Sequence, residues 1–411
     1  MDTADAVDAV DLLDPRTYAH GDPHAIWTYL REHRPVYRAN DRFWVVTRYD
    51  DVSRVLRDSQ NFSSRRGTML SILHADLPDI ASDQMMPDSD PPLHTWLRAP
   101  VAQALVHRVV LAQEQRLAGI VRELLAPALE GATLDLAEAA LMFPMAFTGA
   151  LMGVPEQDWP LLARLTTMTI AYTDPDYATG SPQATLIQAH HDLFSCFAAE
   201  LDRRDPSPER PLDLIDVLLS MSVEHEPLSR EQVLLNAYSL LLGANVTTPH
   251  ATAVTTLALA ERPDQWRRLR EDPGLIPSCV EEGLRWSSPA MHFMRHAVTD
   301  VSLGGEKIRA GEPVSAWIAS ANRDERVFAD PFRFDITRTP NRHLTFGFGP
   351  HYCIGSGIAR LALQVFLAEL VRTVERIEPA GPVVALESNF VAGLKHMPVR
   401  LVPLRRPVGA P

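Results

Sequence analysis

The chain has 411 residues, 46% of them hydrophobic and 22% charged, so it can bury one large core or two moderate ones. Its 39 basic and 52 acidic residues give a net charge of −13, which argues against nucleic acid or an anionic membrane as the main partner. The three cysteines, Cys196, Cys279 and Cys353, form no CxxC pair. This argues against a disulfide framework or a zinc ribbon and favours a reducing compartment.

The N-terminal segment is strongly acidic, with an aspartate at every third position from Asp2 to Asp14. A signal peptide needs a basic start and an apolar stretch, and no run of about 18 apolar residues follows elsewhere. We therefore expect a disordered acidic tail over 1–14, a single domain over 15–411, and a cytoplasmic protein that does not enter a membrane.

The remaining elements follow in chain order. An aromatic and β-branched run at 43–47 predicts a strand, and helical periodicity dominates from 95 to about 260. The last part of that region, 234–260, predicts one long central helix. Short β-like runs with glycine turns at 298–318 predict a meander, and a final helix is expected over 358–374. The pattern indicates a mainly α protein with small β-sheets, an α+β fold.

A glycine-rich loop at 346–355 reads Phe-Gly-Phe-Gly-Pro-His-Tyr-Cys-Ile-Gly and directly precedes the last helix. Unpaired N–H groups at a helix start favour a thiolate, and glycines leave room for a flat cofactor near the backbone. These features predict a site in which Cys353 is the single thiolate ligand of a metal. One alternative is a buried, inert cysteine. A dinucleotide turn at Gly355-Ser356-Gly357 is opposed by Arg360 at the third small position.

This loop resembles the haem-binding loop of the cytochromes P450. The matching residues are Phe346, Gly349, Cys353 and Gly355, followed by Ala359 and Arg360. In that family the cysteine is the axial ligand of haem iron, and its thiolate favours O–O cleavage. The resemblance implies a cytochrome P450-like fold, with haem b between the long central helix and the cysteine loop. Residues 15–411 would then form a haem-thiolate catalytic domain.

An acid and a base lie three residues apart at Glu282 and Arg285 and share one helix face. They could form an ordinary surface ion pair, which would contribute little. They also resemble the buried Glu-Arg network of the cytochromes P450, which a further arginine completes. Arg333 and Arg338 both qualify, and the sequence does not choose between them.

Haem propionates need cationic or hydrogen-bonding partners once buried. The resemblance assigns this role to four side chains: His94, Arg98, Arg295 and His343. A zinc pair formed by His292 and His296 is a weaker interpretation. Phe293 stands where an HExxH motif needs its glutamate, and Pro289 opposes a helix.

The segment 243–248 reads Gly-Ala-Asn-Val-Thr-Thr, where the family usually has Ala/Gly-Gly-x-Asp/Glu-Thr. By resemblance, Ala244 is small enough to lie against the haem, and Thr247 is the alcohol that helps deliver protons. Val246 occupies the position of the usual acid. We expect Asn245, Thr247, a backbone carbonyl freed by Pro249, and ordered water or a polar group of the substrate to replace that acid. Alternatively, Val246 merely packs against a neighbouring helix.

Mainly apolar residues are expected to contact the substrate. They are Met85, Met86, Leu242, Ala290, Met291, His292, Phe293 and Val391. They suggest a medium or large apolar molecule with polar handles, of the kind oxidised in secondary metabolism.

The leading hypothesis is a haem-thiolate monooxygenase that uses O2. Electrons would come from NAD(P)H through ferredoxin reductase and ferredoxin, with Arg108 and Arg116 as basic residues of the docking face. The alternatives are a haem-thiolate enzyme of non-hydroxylating chemistry, such as oxidative coupling, desaturation or peroxygenation, and a non-catalytic haem-binding platform.

Overall fold

The computed structural model describes residues 9–74, 81–105, 113–204 and 212–404. Helices form most of it, as the periodicity predicts. They are α1 (Arg16–Ala19), α2 (Pro23–His33), α3 (Tyr49–Arg57), α4 (Leu93–Ala104), α5 (Glu114–Leu129), α6 (Leu136–Leu151), α7 (Trp159–Ile170), α8 (Pro182–Arg203), α9 (Leu214–Leu219), α10 (Arg230–Asn245), α11 (Thr248–Ala260), α12 (Pro263–Glu271), α13 (Ile276–Ser287), α14 (Ile318–Ala321) and α15 (Ser356–Thr373). The strand predicted at 43–47 and the final helix are both confirmed.

The strands are short and form small sheets. They are β1 (Val36–Ala39), β2 (Phe43–Val46), β3 (Phe62–Ser63), β4 (Leu134–Asp135), β5 (Ser222–Val223), β6 (Glu226–Pro227), β7 (Phe293–Ala297), β8 (Val301–Leu303), β9 (Glu306–Ile308), β10 (Pro313–Ala316), β11 (Val374–Pro379), β12 (Val384–Ala385), β13 (Leu394–His396) and β14 (Pro398–Pro403). One sheet has the order β1-β2-β10-β7-β3, with β10 parallel to β2, and another has the order β11-β14-β4. The remaining strands pair as hairpins β5-β6, β8-β9 and β12-β13.

The core surrounds α11, which packs against α6, α13 and α15. Its alanine- and threonine-rich sequence lets neighbouring helices approach closely, and its threonine hydroxyls are buried. Cys279 lies in this core as a buried apolar side chain. None of the helices in the described ranges combines the length and the hydropathy that a membrane span requires.

The N-terminal segment is better ordered than its composition suggests. Residues 1–8 of the predicted tail lie outside the described ranges, but Leu12 and Leu13 are each only 3% exposed and pack beside Trp27. The Asn389 amide donates a hydrogen bond of 2.9 Å to the Leu13 carbonyl. The prediction of a disordered tail over 1–14 is therefore wrong for residues 9–14, where two leucines outweigh the surrounding aspartates.

The predicted long central helix is in fact two helices, because α10 ends at Asn245 and α11 begins at Thr248. Thr247 lies between them with φ −120° and ψ −46°. Pro249, in the first turn of α11, has no N–H to continue the ladder of α10. Proline therefore starts a second helix here, so the backbone is broken between the two helices and not merely short of one hydrogen bond.

Candidate functional site

The cysteine loop folds back on itself immediately before α15. The Cys353 N–H donates to the Phe346 carbonyl at 2.8 Å, and the Tyr352 N–H donates to the Gly349 carbonyl at 3.0 Å. Gly355 is the N-cap residue of α15, so Cys353 lies two residues before the helix cap. The sulfur thus stands at a helix N-terminus, where unpaired N–H groups and the helix dipole favour negative charge.

Gly349 is required by both conformation and space. Its φ is +77°, in the region that side chains rarely adopt. A Cβ atom here would lie 2.6 Å from the Arg57 Cα and 3.0 Å from the Leu56 carbonyl oxygen, both in the backbone of α3. The loop therefore rests directly on the last turn of α3, and only glycine allows this approach.

Two arginines flank the cysteine. The Arg98 guanidinium donates to the Tyr352 carbonyl at 2.5 Å, and the Arg360 guanidinium lies 4.4 Å from the centre of the Phe346 ring. Burial raises the pKa of the Cys353 thiol overall, although a backbone hydrogen bond at Gly355 and both guanidinium charges act in the opposite direction. The protein thus supplies positive charge beside a sulfur that its buried surroundings keep protonated when no metal is bound.

Four basic side chains meet next to this loop: His94 and Arg98 from α4, Arg295 from β7, and His351 from the loop itself. The rings of His94 and His351 lie 4.0 Å apart, and the Nε2 atom of His94 is buried without a hydrogen-bond partner. Burial and neighbouring cations lower the pKa of His94 to about 4 and that of His351 to about 2. Within the described part of the chain, no carboxylate forms a salt bridge with Arg98 or Arg295. The two histidines are therefore neutral, and the two arginines, which have no salt-bridge partner there, favour an anionic ligand.

His343 is not part of this basic cluster. Its Nε2 atom lies 3.0 Å from a Glu281 carboxylate oxygen, and its Nδ1 atom accepts a hydrogen bond from the Thr345 N–H at 3.3 Å. With both nitrogens engaged, His343 is not available to a propionate, which corrects our assignment. His351, a residue of the cysteine loop to which the sequence assigned no role, lies in the basic cluster instead.

The Glu282–Arg285 pair is completely buried, with two contacts of 2.8 Å, so it is not a surface ion pair. Arg338 completes the network through an Nε–Oε2 contact of 3.1 Å with Glu282. The Arg333 side chain is exposed, and only its backbone carbonyl takes part, as an acceptor from Arg285 and Arg338. The structure therefore selects Arg338 and excludes the Arg333 side chain. Arg323, which donates to the carbonyls of Arg285 and Trp286, was not anticipated.

The break between α10 and α11 gathers polar groups. The Thr247 hydroxyl donates to the Gly243 carbonyl at 3.2 Å, and the Asn245 amide nitrogen donates to the Leu241 carbonyl at 2.8 Å. The Asn245 Oδ1 atom is buried without a partner. Ala244 is partly exposed in this stretch, whereas Val246 is 3% exposed and packs in an apolar cluster. Val246 therefore packs among apolar side chains, as the alternative interpretation of this residue held.

Six of the predicted substrate residues share one apolar cluster: Met85, Met86, Leu242, Ala290, Phe293 and Val391. Phe390 lies directly before Val391, within the stretch 389–391 that is expected to contact the substrate. It joins the cluster with its ring centre 5.8 Å from that of Phe293.

Met291 and His292 lie outside this apolar cluster. Met291 belongs to a separate cluster with Trp27 and Trp317, which corrects its assignment to the substrate wall. The His292 ring is fully buried against Trp317, with its Nε2 atom 3.1 Å from the Asn389 carbonyl oxygen. This corrects His292 as well, and no group of three potential metal-ligating side chains occurs within the described ranges to support a zinc site.

Of the two arginines proposed for a docking face, Arg108 lies outside the described residues. Arg116 is paired with Glu156 at 2.8 Å and its guanidinium lies over Trp159. Another arginine, Arg57 at the end of α3, lies beside the exposed surface of the cysteine loop, with its guanidinium 6.0 Å from the ring centre of Phe348, which is 39% exposed.

A single cysteine at a helix start, beside Arg98 and Arg295, two arginines that form no salt bridge within the described residues, fits a flat, anionic, thiolate-ligated cofactor. A family model described as cytochrome P450 matches residues 274–390, which include this loop. Cytochrome P450 NovI of Streptomyces niveus is 32% identical over 401 residues, covering 96% of this chain and 97% of that protein. The steroid C26-monooxygenase of Mycobacterium tuberculosis H37Rv is 31% identical over 400 residues, covering 96% of this chain and 97% of that protein.

Solved structures show the same fold. The crystal structure of P450 OxyD, involved in the biosynthesis of vancomycin-type antibiotics, has a TM-score of 0.84 and 31% identity, covering 96% of this chain and 100% of that one. A Mycobacterium marinum cytochrome P450 in complex with pseudoionone has a TM-score of 0.86 and 30% identity, covering 96% and 98%. The chain belongs to the cytochrome P450 family. It is a haem-dependent monooxygenase with iron protoporphyrin IX as its cofactor, which the family holds through a cysteine thiolate.

Proposed function

We propose that the chain inserts one oxygen atom of O2 into a mainly apolar small molecule of secondary metabolism, with Cys353 as the axial ligand of haem iron. The observation that carries this proposal is the meeting of the cysteine loop with four basic side chains, of which His94 and Arg295 are buried. Three free cysteines are consistent with a reducing, cytoplasmic location.

The residues present fit haem b. His94, Arg98, Arg295 and His351 would hold the two propionates, and the unpartnered Nε2 atom of His94 would gain a hydrogen-bond acceptor. Ala244 in α10 is small and partly exposed, which would suit the close approach of a flat ring. Bound haem supplies the activation of O2, and the thiolate ligand strengthens it.

Proton delivery at the break would use waters in place of an acid. The Asn245 Oδ1 atom and the Asn245 backbone carbonyl, which Pro249 leaves without its usual N–H donor, can both accept hydrogen bonds from water. The Thr247 hydroxyl is oriented by the Gly243 carbonyl. Thr247→Ala should therefore lower the product formed per NAD(P)H, while Thr252→Ala, whose hydroxyl returns to the Thr248 carbonyl one turn later, should not. Unchanged coupling in Thr247→Ala would remove Thr247 from proton delivery.

The apolar cluster around Phe293 and Val391 supports a mainly apolar substrate. Relatives support the same class, since one is named a steroid C26-monooxygenase, one a linalool 8-monooxygenase, and a solved neighbour binds pseudoionone. The relation to OxyD supports a role in secondary metabolism. A panel of terpenoid, steroid and aromatic compounds, screened by the spin-state shift of the Soret band, would test this class.

Electrons would come from NAD(P)H through ferredoxin reductase and ferredoxin. The exposed Phe348 with Arg57 above it offers an apolar and cationic contact beside the cysteine loop, which suits an acidic carrier. Arg57→Glu should lower the rate of reduction by a surrogate ferredoxin, and Arg116→Glu should lower it less. Equal effects would place the docking surface elsewhere.

The central experiment is the absorption spectrum of the reduced, carbon monoxide-bound protein. We expect a red-shifted, thiolate-type Soret band that Cys353→Ala abolishes and that Cys279→Ala, which alters a buried packing cysteine, retains. A band that survives in Cys353→Ala would overturn the proposal.

A second candidate function follows from buried Val246, because a site without the usual acid suits non-hydroxylating chemistry. Turnover under ¹⁸O2 separates the two, since oxygen insertion labels the product whereas coupling or desaturation leaves it unlabelled. A haem-binding platform would give a thiolate band but no product over the whole panel.

A further inference from the structure

His250 lies four residues after Val246, in the first turn of α11, and is 2% exposed. Burial lowers the pKa of His250 to about 4, while a hydrogen bond to the Leu394 backbone raises it. A hydrogen bond that raises the pKa of an imidazole is one that the ring donates, so the ring N–H is directed to Leu394. The Nε2 atom is buried without a partner among the described residues. The neutral ring therefore carries an unused acceptor near the break in the central helix.

A cavity of about 900 Å³ reaches from the surface to the same helix. Its outer lining includes the exposed residues Asp22 and Ala25, and its inner lining includes Val254 in α11. Because Val254 lies four residues after His250, the two occupy one face of α11. The cavity is large enough to hold many waters.

Gly393 connects His250 with this cavity, because it lines the cavity and lies against the imidazole ring. A Cβ atom at position 393 would stand 2.4 Å from the His250 Cγ and 2.5 Å from its Nδ1. Any side chain at position 393 would therefore push the imidazole ring out of its position beside the cavity.

We infer that His250 is a positioning residue, whose Nε2 atom accepts a hydrogen bond from a water that links the cavity with the break at Thr247. The inference rests on the proposed monooxygenase function. Each proton that the groups at the break pass on is replaced through this water from the solvent in the cavity, and no other bond changes. Position 246 is a valine, so the usual carboxylate is absent. This water supplies the connection to solvent that the carboxylate would provide.

The test compares His250→Phe, which retains a flat ring without an acceptor, with His250→Gln, whose amide oxygen restores one. His190→Phe is the matched control, because His190 is a largely buried histidine bonded to the Tyr238 hydroxyl, away from the break. In crystal structures of the haem-bound protein, a water should lie about 2.7–3.2 Å from Nε2 in the wild type and be lost in His250→Phe. The product per NAD(P)H should fall about tenfold in His250→Phe, with a larger solvent isotope effect, and recover in His250→Gln.

Gly393→Ala provides a second route to the same result, because its Cβ must displace the imidazole. If His250→Phe does not fold, two measurements still test the inference. They are the product per NAD(P)H of Gly393→Ala and the presence of the water at Nε2 in the wild-type crystal structure. Absence of the water in the wild type, or unchanged coupling and isotope effect in His250→Phe or Gly393→Ala, would overturn the inference. Failure of the proposed function is distinct, because the wild type would then lack the thiolate-type band or form no oxygenated product.

Discussion

Replacement of Arg338 by methionine should destabilise the protein far more than the same replacement of Arg333. The Arg338 side chain is 11% exposed and its Nε atom contacts both Glu282 oxygens, at 3.1 and 3.3 Å. Its other nitrogens donate to three backbone carbonyls. Methionine fills the aliphatic volume but leaves Glu282, which is 0% exposed, with fewer donors.

Removal of one partner from a buried ion pair costs about 3–5 kcal/mol. Glu282 retains Arg285, the Asp335 N–H and the Asn341 amide, so we expect Arg338→Met to lower the free energy of unfolding by about 2–4 kcal/mol. Arg333→Met changes an exposed side chain and leaves its carbonyl in place, so its effect should stay within about 0.5 kcal/mol.

Urea unfolding of both variants, followed by far-ultraviolet circular dichroism and by the carbon monoxide-bound Soret band, measures the difference. The band should be lost at lower urea in Arg338→Met, because this network supports the chain that leads into the cysteine loop. Equal losses in the two variants, or a larger loss in Arg333→Met, would refute the assignment of Arg338.

Other predictions concern the loop and a surface histidine. Gly349→Ala should abolish stable haem binding, whereas Gly357→Ala, with open space around its Cβ, should retain the Soret band. His351→Leu should speed haem transfer to apomyoglobin, and His343→Leu should do so less. Hydrogen bonds to two aspartates raise the pKa of His396, so its contribution to stability is present below about pH 6.5 and is lost as pH rises through the raised pKa. The urea midpoints of His396→Gln and wild type should therefore differ at about pH 5.5 and converge at about pH 8.5.

Features within one short segment could be predicted from the sequence. The order of the glycines and the helix after them indicated a thiolate site at Cys353, and the resemblance to the cytochromes P450 implied haem. The helix period placed Glu282 and Arg285 on one face, and the resemblance implied their burial. The choice between Arg333 and Arg338 could not be predicted, because both lie in irregular backbone where no period indicates which side chain points inward.

The same physical reason explains why His343, and not His351, was predicted as a propionate contact. Both histidines flank the glycine turns, and positive φ angles within the turns decide which ring reaches His94. The break in the central helix had a local signal in Pro249, but where the helix ends depends on the whole ladder of backbone hydrogen bonds. Leu12 and Leu13 could not be placed, because part of their binding surface, including Trp317 and Asn389, is hundreds of positions away.

The contact between Leu13 and Asn389 joins the two ends of the chain beside the apolar cluster that contains Phe390 and Val391. A truncation that removes residues 1–14 would therefore expose the Asn389 amide and loosen the turn next to Val391, although no residue of the pocket itself has been deleted. N-terminal tags and truncations are usually considered neutral for ligand binding. Because we propose that Val391 contacts the substrate, we expect them to change substrate affinity here, so binding constants should be compared only between proteins that have the same first residues.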